Sequence, residues 1–227
     1  MKVLGIETAT LMGGVALMAE AGLISEYRMG VAVRHSERLL PAIDHLLTQS
    51  HASLSQISAI AVSAGPGSYT GLRVGLAVAK GLAMGAHLPL VMVPTLEAHA
   101  AAFSQCQRLI APMLDARRGQ VYWALFDPRP EGLTRIYPDT VSTLQEAIAI
   151  IRSFQRETLV TGDPPDRDAI AAAIPASFPI RAAAFPSAAC VAERGLLRLQ
   201  RGETIAPDAA VPTYLRPFLS PSNPAIS

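Results

Sequence analysis

Lysine is nearly missing from this chain, which has only Lys2 and Lys80, so arginine carries almost all of the positive charge and no single arginine is informative by its presence. Charge of either sign is scarce as well: 16% of residues are charged, balanced to a formal +1. A composition this close to neutral gives no electrostatic footprint for independent nucleic-acid binding, so any contact with RNA would need a partner's help. The two cysteines, Cys106 and Cys190, are far apart, form no Cys-x-x-Cys pair and have no histidine at ligand spacing. They read as reduced thiols of a cytoplasmic protein. No long hydrophobic run survives inspection. The most apolar window, Leu72 to Leu96, is broken by Arg73, Lys80, His87 and Pro89, and the N-terminal apolar residues meet Glu7 within a few positions. Neither secretion nor membrane spanning is expected.

Half of the 227 residues are hydrophobic, enough to bury a core in one large domain or two lobes. The most constraining stretch is Ala59 to Gly85, AIAVSAGPGSYTGLRVGLAVAKGLAMG. An apolar run, Ile60 to Val62, breaks at Gly65-Pro66-Gly67 and resumes after Thr70 with helical spacing, which is the order strand, glycine-rich loop, helix. Freed backbone N–H groups and the positive end of the helix dipole make such a junction a seat for an anion. Equally, glycine serves there only to turn sharply and pack closely. The spacing is not that of a Walker A loop, because Lys80 lies well inside the helix.

In chain order, Lys2 to Ile6 reads as a strand, followed by a polar corner Glu7 to Thr10 and a second strand Val15 to Met18. Leu23 to Tyr27 makes a third, so three strands precede any helix, which fits a mixed sheet and not a plain doubly wound one. Ser36 to Gln49 is an amphipathic helix with Ser36 as N-cap, Leu39, Leu40, Ile43, Leu46 and Leu47 on its apolar face, and Pro41 near the first turn. His35 and His45 are not at metal-ligand spacing. Leu88 to Val93 is a strand, and Pro94 to Gln105 a helix. The pattern then starts over: strands Leu109 to Leu114, Val121 to Phe126 and Arg135 to Val141, helix Thr143 to Phe154, strand Leu159 to Thr161, helices Arg167 to Ile174 and Ser187 to Arg201, and a proline-rich tail from Pro207 whose last residues are loose. Two lobes are expected, residues 1–106 and 107–227, with the last helix and tail packing back on the first lobe.

The helix after the glycine loop carries Gly71, Gly75, Ala79 and Ala83 every fourth residue, a smooth stripe that lets another backbone approach. With Leu72, Val74, Leu76, Val78 and Leu82 on the remaining faces, the helix is expected to be sandwiched, by the protein's own sheet and helices or by a second protein.

Six segments, KVLGIETAT from Lys2, HSERLLP from His35, GPGSYTGLRVGLAVAKGLA from Gly65, VPTLEA from Val93, LDARRGQVYWALF from Leu114 and PTYLR from Pro212, together resemble the TsaB (YeaZ) family. These are accessory proteins of the bacterial machinery that makes threonylcarbamoyladenosine in tRNA. The resemblance spans nearly the whole chain. It implies an α/β protein with the duplicated actin/hexokinase/Hsp70-like ATPase fold, two lobes each with a mixed sheet flanked by helices. It also implies partnership with TsaD, the catalytic paralogue, and TsaE, a P-loop ATPase, contact with tRNA only indirectly, and a homodimer when TsaD is absent.

The same resemblance argues against catalysis by this chain. TsaD carries a His-x-x-x-His metal pair where this sequence reads Thr95-Leu96-Glu97-Ala98-His99, so Thr95 replaces one histidine, His99 remains, and no metal is expected. That missing histidine also defeats a metallopeptidase reading. ATPases of the fold place an aspartate where Glu7 stands, and the second-lobe hairpin offers Asp115 and Gly119 without paired glycines. Glu7, Thr8, Gly65, Gly67, Ser68, Thr70 and Asp115 are therefore candidates for a vestigial nucleotide or anion loop, with ATP or ADP expected only weakly or at the interface with TsaD. The expected partner surface is Ser36, Leu39, Leu40, Ile43 and Leu47 on one helix with Gly71, Leu72, Gly75, Ala79 and Ala83 on the other. The alternative is a stand-alone ATPase or kinase-like phosphotransferase using the loop for phosphates and Glu7 or Asp115 for magnesium. Arg117, Arg118 and Arg216 are the candidates for touching tRNA.

Overall fold

The structure, a computed structural model, describes residues 1–30, 35–163, 180–182 and 186–216. The helix expected over Arg167 to Ile174, the tail beyond Arg216 and the side chain of Ser36 lie outside the described residues.

The chain builds the same five-stranded mixed sheet twice. In the first, β1 (Lys2–Glu7), β2 (Gly13–Ala19), β3 (Gly22–Met29), β4 (Ala59–Gly65) and β5 (Leu90–Pro94) lie in the order β3-β2-β1-β4-β5. In the second, β6 (Leu109–Arg117), β7 (Gln120–Arg129), β8 (Gly132–Thr143), β9 (Thr158–Asp163) and β10 (Ile180–Ala182) lie in the order β10-β9-β6-β7-β8. Each opens with an antiparallel three-stranded meander and closes with strands added parallel to its first. Duplication is thus visible in topology although no sequence repeat is. Strand β10 escaped the sequence reading because three residues are too few for an alternating pattern.

Helices α1 (His35–Gln49) and α2 (Tyr69–Gly85) cover one face of the first sheet, and α5 (Ala188–Gln200) covers the other. Against the second sheet lie α3 (Thr95–Ala101) and α4 (Leu144–Ser153). Because α1 begins at His35, Pro41 sits beyond the first turn, exposed, where its missing N–H interrupts the helical ladder on the solvent side. Helix α3 is shorter than expected, giving way to turns after Ala101.

Helix α5 comes from the far end of the chain yet packs on the first sheet. A side chain on Gly5 would run into Ala188 and Ala192, and one on Gly195 into Ala61, so glycines at both surfaces let backbone approach backbone. Ser187 caps α5 by accepting from the Cys190 amide at 3.1 Å, and Glu26 of β3 accepts from the Ala189 amide at 3.1 Å, placing a carboxylate at the positive end of the helix dipole. In the second lobe Trp123 is fully buried, stacked 4.7 Å from Tyr137, with its indole N–H donating to Ser142 at 3.0 Å. Among the described residues no helix is long and apolar enough to cross a membrane.

Candidate functional site

The glycine segment forms as its sequence requires. Strand β4 is buried throughout, Pro66 follows through a cis bond, and Ser68 caps α2 by accepting from the Gly71 amide at 3.2 Å. What fills the space in front of this helix start is the chain's own β1–β2 corner. The Ser68 amide donates to the Ala9 carbonyl at 2.7 Å, and the Thr8 hydroxyl donates to the Gly71 carbonyl at 2.8 Å. A Cβ at Gly67 would collide with Ala9, at Gly71 with the Thr8 carbonyl, and at Gly75 with the Thr8 hydroxyl.

Two expectations change accordingly. Gly71, Gly75, Ala79 and Ala83 do form a close-approach stripe, but it faces inward, Gly71 and Gly75 against Thr8, and Ala79 and Ala83 in the core under α1. Leu39, Ile43 and Leu72 are also buried. None of these seven can touch a partner, because each is covered in the isolated chain. Leu40 does face out of α1, Leu47 is half-buried against the core, and α2 shows Ala77, Gly81 and Met84. As for the anion seat, Thr8 and Gly65 are buried and the Ser68 amide is occupied, while Thr70 is exposed.

Glu7 ends β1 with no solvent exposure. It accepts a short hydrogen bond from Ser63 and one from the Ala9 amide at 2.7 Å. Burial is the dominant influence and pushes its carboxyl up to about 7, outweighing the hydrogen bonds that favour the charged form. Asp115 is half-buried and turned onto its own hairpin, accepting from the Arg117 amide at 2.6 Å and facing the Arg117 guanidinium at 3.3 Å. Glu7 is closed to solvent, whereas Asp115 keeps part of its carboxylate exposed beside Arg117.

Helix α3 follows β5 without a loop. Thr95 is fully buried and accepts from the Gly65 amide at 3.2 Å, locking α3 to the glycine turn. His99 is 1% exposed, its Nε2 is 2.9 Å from the Thr161 hydroxyl, and its ring lies beside Phe103. Burial holds it down at about 4, so the imidazole is neutral. Among the described residues no three His, Cys, Asp or Glu side chains gather as a metal site would need.

Sequence reasoning missed the electrostatic centre of this region. Glu97, nearly buried on α3, receives Arg194 at 3.0 Å and Arg198 at 2.7 Å from α5, and Arg135 of β8 at 3.5 Å. Arg135 also pairs with Asp139, and Arg198 with Glu203 at 3.1 Å. Three elements from both lobes thus meet on one carboxylate. Three arginines drawn from positions 38 to 101 residues away leave no local signal.

The C-terminal segment packs back on the first lobe as expected, and it reaches the second lobe as well. After α5 it bridges to β5 through Ile205 and Leu90, and the Lys80 ammonium donates to the Asp208 carbonyl at 3.3 Å. The Thr213 amide then donates to Ala64 at 2.7 Å, and the Arg216 guanidinium to the Ala116 carbonyl of the second-lobe hairpin at 3.1 Å. It is a strap that touches both lobes.

Comparison with known proteins agrees with this geometry. A family model described as TsaD, tRNA N6-adenosine threonylcarbamoyltransferase, matches residues 29–206. The tRNA threonylcarbamoyladenosine biosynthesis protein TsaB of Bacillus subtilis (strain 168) is 36% identical over 162 residues, 71% of each chain. A solved structure of an uncharacterized Pseudomonas aeruginosa protein, described as similar to peptidase YEAZ, superposes with a TM-score of 0.82 at 25% identity, over 95% of this chain and 99% of that one. The ROK hexokinase of Thermus thermophilus, with a TM-score of 0.53 at 11% identity over 88% of this chain and 100% of its own, shares the fold alone. With a family model across most of its length and a relative this similar over more than two thirds of it, the chain belongs to the TsaB (YeaZ) family of tRNA threonylcarbamoyladenosine biosynthesis proteins.

Proposed function

We propose that this chain is the non-catalytic platform of a complex with TsaD and TsaE that installs threonylcarbamoyladenosine beside the anticodon of tRNAs reading codons that begin with A. The observation that carries the reading is the sealed Thr95–His99 segment. Where the catalytic paralogue is expected to hold a metal, both side chains are buried and hydrogen-bonded within this chain, Thr95 to Gly65 and His99 to Thr161. Chemistry then falls to TsaD, and this protein positions it. The outer faces of α1 and α2 dock the equivalent helices of TsaD, and without TsaD they pair with a second copy. Nucleotide, if it enters, enters at that interface, since the loop of this chain is filled by Thr8 and Ala9.

The test is reconstitution. The chain alone is expected to leave ATP intact and tRNA unmodified, and the mixture with TsaD, TsaE and tRNA to form threonylcarbamoyladenosine that is lost when this chain is omitted. Turnover of ATP by the isolated chain, or a mixture equally active without it, overturns the proposal.

A further inference from the structure

Net charge of +1 conceals an uneven distribution. Residues 65–73, 115–120 and 211–216 hold four arginines and one carboxylate, net +3, which leaves −2 on the remainder of the chain. These three segments are distant in sequence, and the strap joins them. Tyr214 receives a hydrogen bond from the Arg73 Nε at 3.1 Å, and its ring lies 5.3 Å from that of Tyr69 at 35°. The Arg73 guanidinium sits over the Tyr69 ring, 3.9 Å from its centroid. Two residues further on, Arg216 is bonded to Ala116, next to Arg117 and Arg118 at the hairpin tip.

The tip itself holds these arginines outward. Arg117 and Arg118 have φ of 65° and 56°, ahead of Gly119 at 71°, a left-handed turn that side chains other than glycine seldom adopt. The Arg117 side chain is 77% exposed.

Several arginines elsewhere are matched to carboxylates. Arg135, Arg194 and Arg198 share Glu97, and Arg129 and Arg156 share Asp127. Among the described residues Arg73, Arg118 and Arg216 have no carboxylate partner, and the one acid of the strip, Asp115, is shared between the Arg117 amide and the exposed Arg117 guanidinium at 3.3 Å. Guanidinium groups, three of them without a carboxylate partner among the described residues, interleaved with the exposed Tyr214 ring and the half-buried Tyr69 ring are what a single-stranded nucleic acid requires, phosphates for the first and base faces for the second. An acidic peptide would use the charges but not the rings.

We propose that the strip Arg73, Tyr69, Tyr214, Arg216, Arg117 and Arg118 binds a single-stranded RNA loop. The proposal rests on the tRNA-modification reading and names the surface of this chain that meets the RNA. Composition concealed the strip because no local run of sequence carries it, and it forms only where the strap brings the two lobes together.

The probe is a fluorescent anticodon stem-loop RNA, titrated into the complex of this chain with TsaD. Arg117→Gln/Arg118→Gln is expected to weaken binding about tenfold and to lower the salt-dependence slope by about two. Tyr214→Leu is expected to weaken it by about tenfold with the slope unchanged, and Arg117→Lys/Arg118→Lys to retain binding. Sedimentation of each complex accompanies the titrations. RNA affinity unchanged in the Gln double variant overturns the proposal, as does a loss that follows dissociation from TsaD, which would assign the strip to protein docking. The wild-type mixture is assayed in parallel. Its failure to modify tRNA counts against the platform reading, whereas an active wild type with variants of unaltered RNA affinity sinks the strip alone.

Discussion

Gly71 and Thr8 are locked together from both sides: the Thr8 hydroxyl donates to the Gly71 carbonyl at 2.8 Å, while the Thr8 carbonyl occupies the place a Gly71 side chain would take. The contact ties the start of α2 to the β1–β2 corner. It converts an apparent partner-binding stripe into an internal joint.

The joint predicts a reversal of sign among helix glycines. Alanine ordinarily stabilises an exposed helix interior by about 1 kcal/mol over glycine. Gly81 has no heavy atom within 4 Å of an added Cβ, so Gly81→Ala is expected to gain up to about that amount. Gly71→Ala and Gly75→Ala, which collide with Thr8, are expected to lose about 1–3 kcal/mol through overpacking. Urea unfolding followed by circular dichroism checks this. Equal effects at all three positions would show that Thr8 does not fill the groove.

Glu7 and His99 predict an unusual pH profile. Glu7 rises from 4.5 to about 7 on folding, so it binds a proton more tightly in the folded state and its contribution falls as pH rises through that window. His99 drops from 6.5 to about 4, so its contribution falls as pH is lowered through that window. Between 4.5 and 6.5 the folded pair holds one proton on Glu7 and the unfolded pair one on His99, and the two slopes cancel. Glu7→Gln should uncover a rise of about 1.4 kcal/mol per pH unit in this range, and His99→Gln a fall of similar size. Denaturant midpoints at several pH values decide, and parallel slopes in the two variants would refute the pairing.

How much of this was legible beforehand depended on the range over which residues interact. The order of strands and helices, the sharp break at Gly65 and the motif segments are local, and the sequence carries them. Helical spacing placed Gly71, Gly75, Ala79 and Ala83 on one face but held no information on what covers that face, which is Thr8 in a strand corner more than sixty residues upstream. Glu97 offered no sign of its three arginines for the same reason. That the tail packs back on the first lobe was expected, but its individual contacts were unreadable, because the hydrogen bonds from Thr213 to Ala64 and from Arg216 to Ala116 depend on both lobes being in place.

Glu97 predicts asymmetric costs. Removing it strands Arg194, which has no other carboxylate partner among the described residues, and leaves Arg135 and Arg198 with only Asp139 and Glu203. Glu97→Ala is expected to cost about 3–5 kcal/mol, the loss typical of a buried ion pair broken on one side. Arg135→Met should cost less, since Glu97 keeps Arg194 and Arg198. Thermal and urea denaturation of both variants measure the difference, and a cheaper Glu97→Ala would remove Glu97 from its central place.

The inward turn of the glycine stripe moves the docking prediction to other residues of the same two helices. Leu40 is 52% exposed and Met84 61%, large apolar side chains that the described residues leave mostly in water. Leu40 stands on the outer side of α1, and Ala77, Gly81 and Met84 line one side of α2, so each helix offers an outward surface over a buried one. A charge placed there leaves the core untouched. Leu40→Arg and Met84→Glu are therefore expected to fold with wild-type stability, within about 0.5 kcal/mol, yet to weaken association with TsaD and with a second copy by at least about tenfold, as burial of an unpaired charge requires. Sedimentation of wild type and variants, alone and with TsaD, measures both associations. Loss of self-association with intact TsaD binding would separate two surfaces that the proposal treats as one, and unchanged behaviour in both would place the interface off these helices.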